Sequence, residues 1–215
     1  LNSKLATEGN MTTLDFIPGS NFLGIAAKEL YNSLKAEDAY TIFHSGNVSF
    51  GDAIVSENGE IFYQLPFDLM MAKGKDTLGE NEVYLQHVLS GLDDSQLPKD
   101  SKGFKAQLKQ KRIGYVSSSG KLISKIKKTF ALKSAQDALE RRSKEGAMFG
   151  FESLKKGQEF IFSLQFQNEG FVEQITTALV GRKRIGKSKT AEFGQVEIEI
   201  IEKKPFDIYS GRGGN

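Results

Sequence analysis

Phe22, Ala26, Leu30 and Leu34 recur every four residues, with Leu23, Ala27 and Tyr31 beside them. That spacing predicts one apolar helix face of about four turns. Just before it, Phe16-Ile17-Pro18-Gly19-Ser20 is a turn signal in which Ser20 is placed to cap the helix. Residues 48–55 read as a strand, opened by Ser45-Gly46-Asn47 and crossed by Gly51-Asp52. Residues 61–69 read as extended and 83–89 as a short helix. Residues 107–116 and 121–132 are two strand-like runs joined by Ser117-Ser118-Ser119-Gly120, a hairpin pattern, and 134–143 read as a short helix. The last third is the most regular. Phe160, Phe162, Leu164 and Phe166 alternate with Ile161, Ser163, Gln165 and Gln167, as in a strand. Phe171, Ile175, Ala178 and Leu179 then fall on one helix face. Val196, Ile198 and Ile200 alternate with Glu197 and Glu199 in a final strand. The order fits an α+β chain, specifically a ferredoxin-like (RRM-like) βαββαβ core with a basic β-hairpin insertion over 99–144 in a single domain spanning 1–215.

Composition narrows the class. The chain has 215 residues, 39% of them hydrophobic, with 16 Phe and no Trp, enough for one sizeable core. With no Cys, disulfide scaffolds and thiolate metal sites are excluded. No apolar run approaches the roughly 18 residues that span a bilayer, and no signal peptide is visible. The expectation is a cytoplasmic protein with no membrane partner.

The net charge of +2 conceals strong segregation. Residues 1–98 carry 5 basic and 14 acidic side chains, whereas 99–144 carry 14 basic and 3 acidic. Residues 145–215 carry 10 of each, and five of those cations fall between Arg182 and Lys189. A solvated lysine face is the bland account of such runs; concentration into two segments points instead to a polyanion. In the insertion, Lys111, Arg112, Lys125, Lys127 and Lys128 are its candidate contacts.

The second basic segment, Gly181-Arg-Lys-Arg-Ile-Gly186-Lys187-Ser188, spells a Walker A string. A working P-loop follows a strand and opens a helix, whose N-terminus faces the phosphates. Here a helix precedes the string and a strand follows, so no nucleotide or other cofactor is expected. The capacity to hold anions survives. Gly181, Gly186 and Gly194 permit close backbone approach, and Arg182, Lys183, Arg184, Lys187 and Lys189 supply charge and forked donors. Phe193 offers a face for a base.

Four segments together resemble the CRISPR-associated RAMP superfamily. Phe16-Ile17-Pro18-Gly19-Ser20 resembles its "IPGS" turn, and Val48-Ser-Phe-Gly-Asp52-Ala its "F-G-D-A" strand. Phe151-Glu-Ser-Leu with Gly157-Gln-Glu-Phe160 resembles its "E-x-L-x-x-G-x-x-F" strand, and Gly186-Lys-Ser-Lys-Thr-Ala-Glu-Phe-Gly194-Gln-Val its C-terminal glycine-rich loop. The nearest pattern is the subunit of type III-D effector complexes that caps the 5′ end of the guide. The resemblance implies a ferredoxin-like core and a role in antiviral defence. Its partners would be guide RNA (crRNA) and other CRISPR effector subunits. It also implies contacts to the repeat-derived tag from Gly186, Lys187, Ser188 and their neighbours, with Gly19 and Ser20 at the helix start. The family's first strand and second half are not found in this sequence, which opens on Leu1 in mid-pattern; a piece of a longer protein is expected.

The enzymatic alternative is a RAMP endoribonuclease. Some relatives process guide precursors with a His general base, which makes His44 a candidate, and others cleave target RNA with an Asp ahead of the "PGS" turn, which makes Asp15 one. Asp15 stands two residues before Ile17 without the surrounding loop pattern, and His44 has no evident partner in the sequence, so a binding subunit without catalytic or metal residues is the reading taken. A free-standing RRM-like protein is the third. It would stack bases on strand aromatics, whereas Phe160, Phe162 and Phe166 are read as core.

Overall fold

The computed structural model describes residues 10–73, 83–85, 89–91, 93, 95–100, 102–110, 112–117, 119, 121–123, 125–136, 143–186 and 193–201. In chain order these form β1 (Asn10–Met11), α1 (Gly19–Leu30), α2 (Ala36–Phe43), β2 (Val48–Phe50), β3 (Ile54–Glu57), β4 (Glu60–Gln64), β5 (Leu69–Ala72) and β6 (Val83–Leu85). There follow β7 (Leu108–Gln110), β8 (Tyr115–Ser117), β9 (Leu122–Ile123), β10 (Lys128–Gln136), β11 (Ser143–Leu154), β12 (Glu159–Ile161) and β13 (Leu164–Phe166). A short 3₁₀ turn (Glu169–Phe171), α3 (Val172–Leu179), β14 (Gly181–Arg184) and β15 (Gln195–Ile198) complete the order. The architecture is α+β, with few helices and mostly antiparallel pairing. The chain divides into two compact units, one of residues 1–53, 130–153 and 162–215, the other of 54–129 and 154–161. The basic 99–144 segment is shared between them.

In the first unit α1 packs against α3 and β2, and β2 pairs antiparallel with β13. Phe22, Ala26, Ile175 and Leu179 are buried along these helices, and Phe22 stacks on Phe162 with ring centroids 3.8 Å apart. The predicted helix stops early. α1 ends at Leu30, whose carbonyl accepts from the Ser33 N–H and hydroxyl as well as from the Leu34 N–H, and Leu34 lies beyond it. Ser and its backbone compete with helix continuation in this way. A second helix the four-residue repeat had hidden, α2, follows; it buries Ala39 and Ile42 and carries Glu37 and Asp38 in its first turn, where the helix dipole favours them.

In the second unit the sheet runs β12-β3-β4-β8-β9, and a three-stranded sheet runs β6-β5-β7. Val55, Phe62 and Ile126 form one core cluster with Tyr115, Ile123, Leu154 and Phe160 against it; Leu65, Leu69 and Met71 form another with Val116 and Leu122. The predicted basic hairpin exists as β8 and β9, with Val116 opposite Leu122. Its first run does not continue into it, because β7 pairs with β5. Two expected short helices are overturned in part. Val83–Leu85 is a strand paired with β5, whereas residues 86–88 lie outside the described residues and Leu89 is helical. Residues 134–136 belong to β10 and Ser143 opens β11, with 137–142 outside the described residues. The Val-Tyr-Leu triplet is β-prone, and there the partner strand overrides the local helical pattern. The continuous strand read over 160–167 breaks at Phe162-Ser163 into β12 and β13.

Ser56 is 3% exposed, and its hydroxyl has no hydrogen-bond partner among the described residues. A buried, unbonded hydroxyl costs on the order of 1–3 kcal/mol. Ser56→Ala is therefore expected to raise the denaturant midpoint by an amount equivalent to about 1 kcal/mol, with an unchanged or lower midpoint as the contrary result.

Two glycines of α1 give a matched pair. A Cβ at Gly19 would lie 2.0 Å from the Phe50 carbonyl oxygen, whereas one at Gly24 would meet nothing within 4 Å. Gly24→Ala should stabilise by about 1 kcal/mol through helix propensity, and Gly19→Ala should destabilise by about 2–3 kcal/mol through overpacking against backbone. Urea titrations of the two variants check both signs.

Candidate nucleic-acid interface

The start of α1 carries no local cap. Pro18 occupies the N-cap position without a side-chain bond, and Ser20 sits exposed in the first helical turn rather than capping it, which corrects the expectation for Ser20. The capping group comes from another strand, since the Gly19 N–H donates to Asp52 Oδ1 at 2.7 Å. The carboxylate answers both an orphan N–H and the positive end of the helix dipole. Ile17 and Ala53 exchange backbone hydrogen bonds at 3.0 and 2.8 Å, and the Gly51 N–H donates to the Ser163 carbonyl at 2.9 Å. The turn is thereby nailed to the strand pair β2–β13 at a position where only glycine fits at residue 19.

The glycine-rich segment docks on the same helix start. The Gly186 N–H donates to Asn21 Oδ1 at 3.3 Å, across 165 residues of sequence. Below it, β14 and β15 pair antiparallel from Gly181 opposite Ile198 to Arg184 opposite Gln195. Ile185 is buried, its N–H donates to the Gly194 carbonyl, and a Cβ at Gly194 would lie 2.1 Å from the Ile185 oxygen. Gly186 and Gly194 both have φ near +80°, a region other residues avoid. Phe193 packs on Phe151 with centroids 5.0 Å apart and is half-buried, so this ring anchors the segment. Glu152 beside it accepts the Thr13 N–H at 2.9 Å.

The strand order divides the cations. Arg182 and Arg184 are exposed on one face of the hairpin, while Lys183 is half-buried on the other, opposite Val196. Arg182 pairs with Glu197 at 3.4 Å with 80% of its side chain exposed. A pair this exposed is worth at most about 1 kcal/mol and yields to a competing phosphate. Lys187, Ser188 and Lys189 lie outside the described residues, as does Lys111. The first four residues of the Walker-like string are a strand, whereas a P-loop wraps a phosphate with these positions.

The structure thus brings Gly19, Ser20, Gly181, Arg182, Lys183, Arg184 and Gly186 into one unit, while Arg112, Lys125, Lys127 and Lys128 belong to the other. Arg112 Nε is 3.4 Å from Gln110 Oε1, and Lys128 is half-buried in β10. His44 is exposed at the end of α2, with the Tyr31 hydroxyl 3.2 Å from its Nε2 and the Tyr40 ring stacked at 6.2 Å. Asp15 is half-buried in the bend before Ile17. Among the described residues no three His, Asp or Glu are grouped to hold a metal ion, and no helix is long and apolar enough to cross a membrane. Asn21 escaped sequence reading, because an Asn inside a helix carries no local sign of a partner so distant. Asp52 was visible only as part of a quoted string.

Asp52→Ala is expected to lose about 1 kcal/mol of stability, with Asp52→Asn retaining most of it; equal losses in thermal melts would show that Asp52 does not act as the cap. No protein-family model matches the sequence and no curated protein matches it, so the resemblance rests on the quoted residues alone.

Proposed function

We propose that this protein is an RNA-holding subunit of a multi-subunit CRISPR effector of type III, with a ferredoxin-like core, that grips the 5′ repeat-derived tag of the guide RNA. The observation that carries this reading is the docking of Gly186 on Asn21 at the start of α1. It brings the glycine-rich segment against the residue that follows the Phe16–Ser20 turn. Asp52 ties the second segment to Gly19 of that turn, and the Phe151–Phe193 pair joins the third segment to the fourth. Side-chain-free backbone at Gly186, where a Cβ would meet nothing within 4 Å, lets a polymer approach closely, and Arg182 and Arg184 on one exposed face supply forked donors for phosphate oxygens. The acidic balance of residues 1–98 accounts for direction: anion contacts concentrate at this hairpin and the basic segment rather than spreading over the surface.

A second reading is favoured by the Tyr31–His44 contact. His44 would take the proton from a ribose 2′-hydroxyl as it attacks the adjacent phosphate, releasing the 5′-oxygen, with Tyr31 orienting the imidazole.

Sequencing RNA that co-purifies with the native assembly tests the first reading. Short RNAs sharing one 5′ tag are expected; random RNA or none overturns it. Neutralising Arg182, Arg184 and Lys187 together should weaken RNA binding and reduce the salt slope by about 0.7 per lost phosphate contact. His44→Ala and Asp15→Ala should leave RNA binding unchanged. A nuclease activity lost in His44→Ala would establish the second reading.

A further inference from the structure

The turn between β11 and β12, Lys155-Lys156-Gly157-Gln158, carries two exposed lysines, with Gly157 at φ +84°. Its fourth residue reaches across to a segment about thirty residues earlier. Gln158 Oε1 accepts the Lys127 N–H at 2.9 Å, and Gln158 Nε2 donates to the Lys127 and Lys155 carbonyls at 2.8 and 3.0 Å. The Lys155 N–H donates to the Lys127 carbonyl at 3.0 Å. Four lysines are thereby collected in the second unit: Lys125 and Lys127 from one segment, Lys155 and Lys156 from the other. Their compensation is thin. Glu57 is shared between Lys121 at 3.7 Å and Lys127 at 3.9 Å. Lys125, Lys155 and Lys156 make no ion pair among the described residues.

We infer that Lys125, Lys127, Lys155 and Lys156, held in register by Gln158, form a second phosphate-contact surface for single-stranded RNA, separate from the glycine hairpin. A merely solvated lysine face needs no fixed spacing. Here a side-chain amide is committed to main chain on both segments, holding like charges together against their repulsion, and a phosphate backbone relieves that repulsion by releasing counterions. Two of these lysines lie outside the basic 99–144 segment and join the surface through the Lys155–Lys127 backbone bond and the Gln158 clamp. This surface rests on the RNA-holding reading above and extends it to the second unit.

The test is a salt series of binding to a labelled single-stranded RNA of about 40 nucleotides, long enough to reach several contacts. The wild type is compared with a quadruple Lys→Gln variant at 125, 127, 155 and 156, the matching Lys→Arg variant, and the hairpin variant neutralised at Arg182, Arg184 and Lys187. The Lys→Gln variant should lose about 2–3 units of slope and at least about tenfold in affinity at low salt; Lys→Arg should retain both. Gln158→Ala should weaken binding while the protein still melts cooperatively. An unchanged slope in Lys→Gln while the hairpin variant is weakened overturns this inference alone and leaves the cluster to an acidic protein partner. Absence of RNA binding by the wild type overturns the RNA-holding reading itself. A Lys→Arg variant as weak as Lys→Gln also overturns the inference, because charge would then not be the property that matters.

Discussion

The contact of Gly19 with the Phe50 backbone sets where α1 begins, and the neighbouring contacts take their positions from it. A methyl group there would overlap the Phe50 carbonyl oxygen, so the helix start lies directly on the strand. That closeness brings Asp52 within reach of the Gly19 N–H and lets Ile17 and Ala53 pair as in a sheet. The carboxylate then replaces the local cap that Pro18 does not provide. With the helix start fixed, Asn21 faces Gly186, and the hairpin of β14 and β15 has a place to dock.

This arrangement differs from the one in which a Walker A string binds nucleotide. The same glycines and lysines can cradle a triphosphate only where a strand delivers them to a helix N-terminus. Here Gly181–Arg184 is itself a strand, and the nearby helix start, that of α1, already has its Gly19 N–H bound to Asp52. The hairpin carries exposed guanidinium side chains on one face and glycine backbone at its end. The proposed grip on successive phosphates of a polymer rests on those features.

Basic character is distributed by tertiary structure in a way its linear density does not convey. Arg182 and Arg184 share a face while Lys183 turns inward opposite Val196. In the second unit, Gln158 joins lysines from two distant segments, whereas Lys121 is drawn down by Glu57 and lies 5.5 Å from the Phe62 ring centroid. Charge counts locate the segments; hydrogen bonds decide which cations share a surface.

Periodicity gave α1, α3 and β15, each placed on a locally spaced stripe, although α1 ends at Leu30 rather than Leu34 and β15 at Ile198 rather than Ile200. The turn at Gly19 came from the Pro18-Gly19 pair. The α+β class followed from the same pattern, and the glycines and cations of the hairpin were legible as residue types. The start of α2 was also written in Glu37 and Asp38, although the four-residue repeat running to Leu34 obscured it. Only tertiary structure decided that Val83–Leu85 pairs as a strand, that β7 joins β5 rather than the β8–β9 hairpin, and that Asp52, Asn21 and Gln158 carry the joints. Each of those outcomes depends on a partner tens of residues away, and a polar side chain's bond to distant backbone leaves no period in the chain.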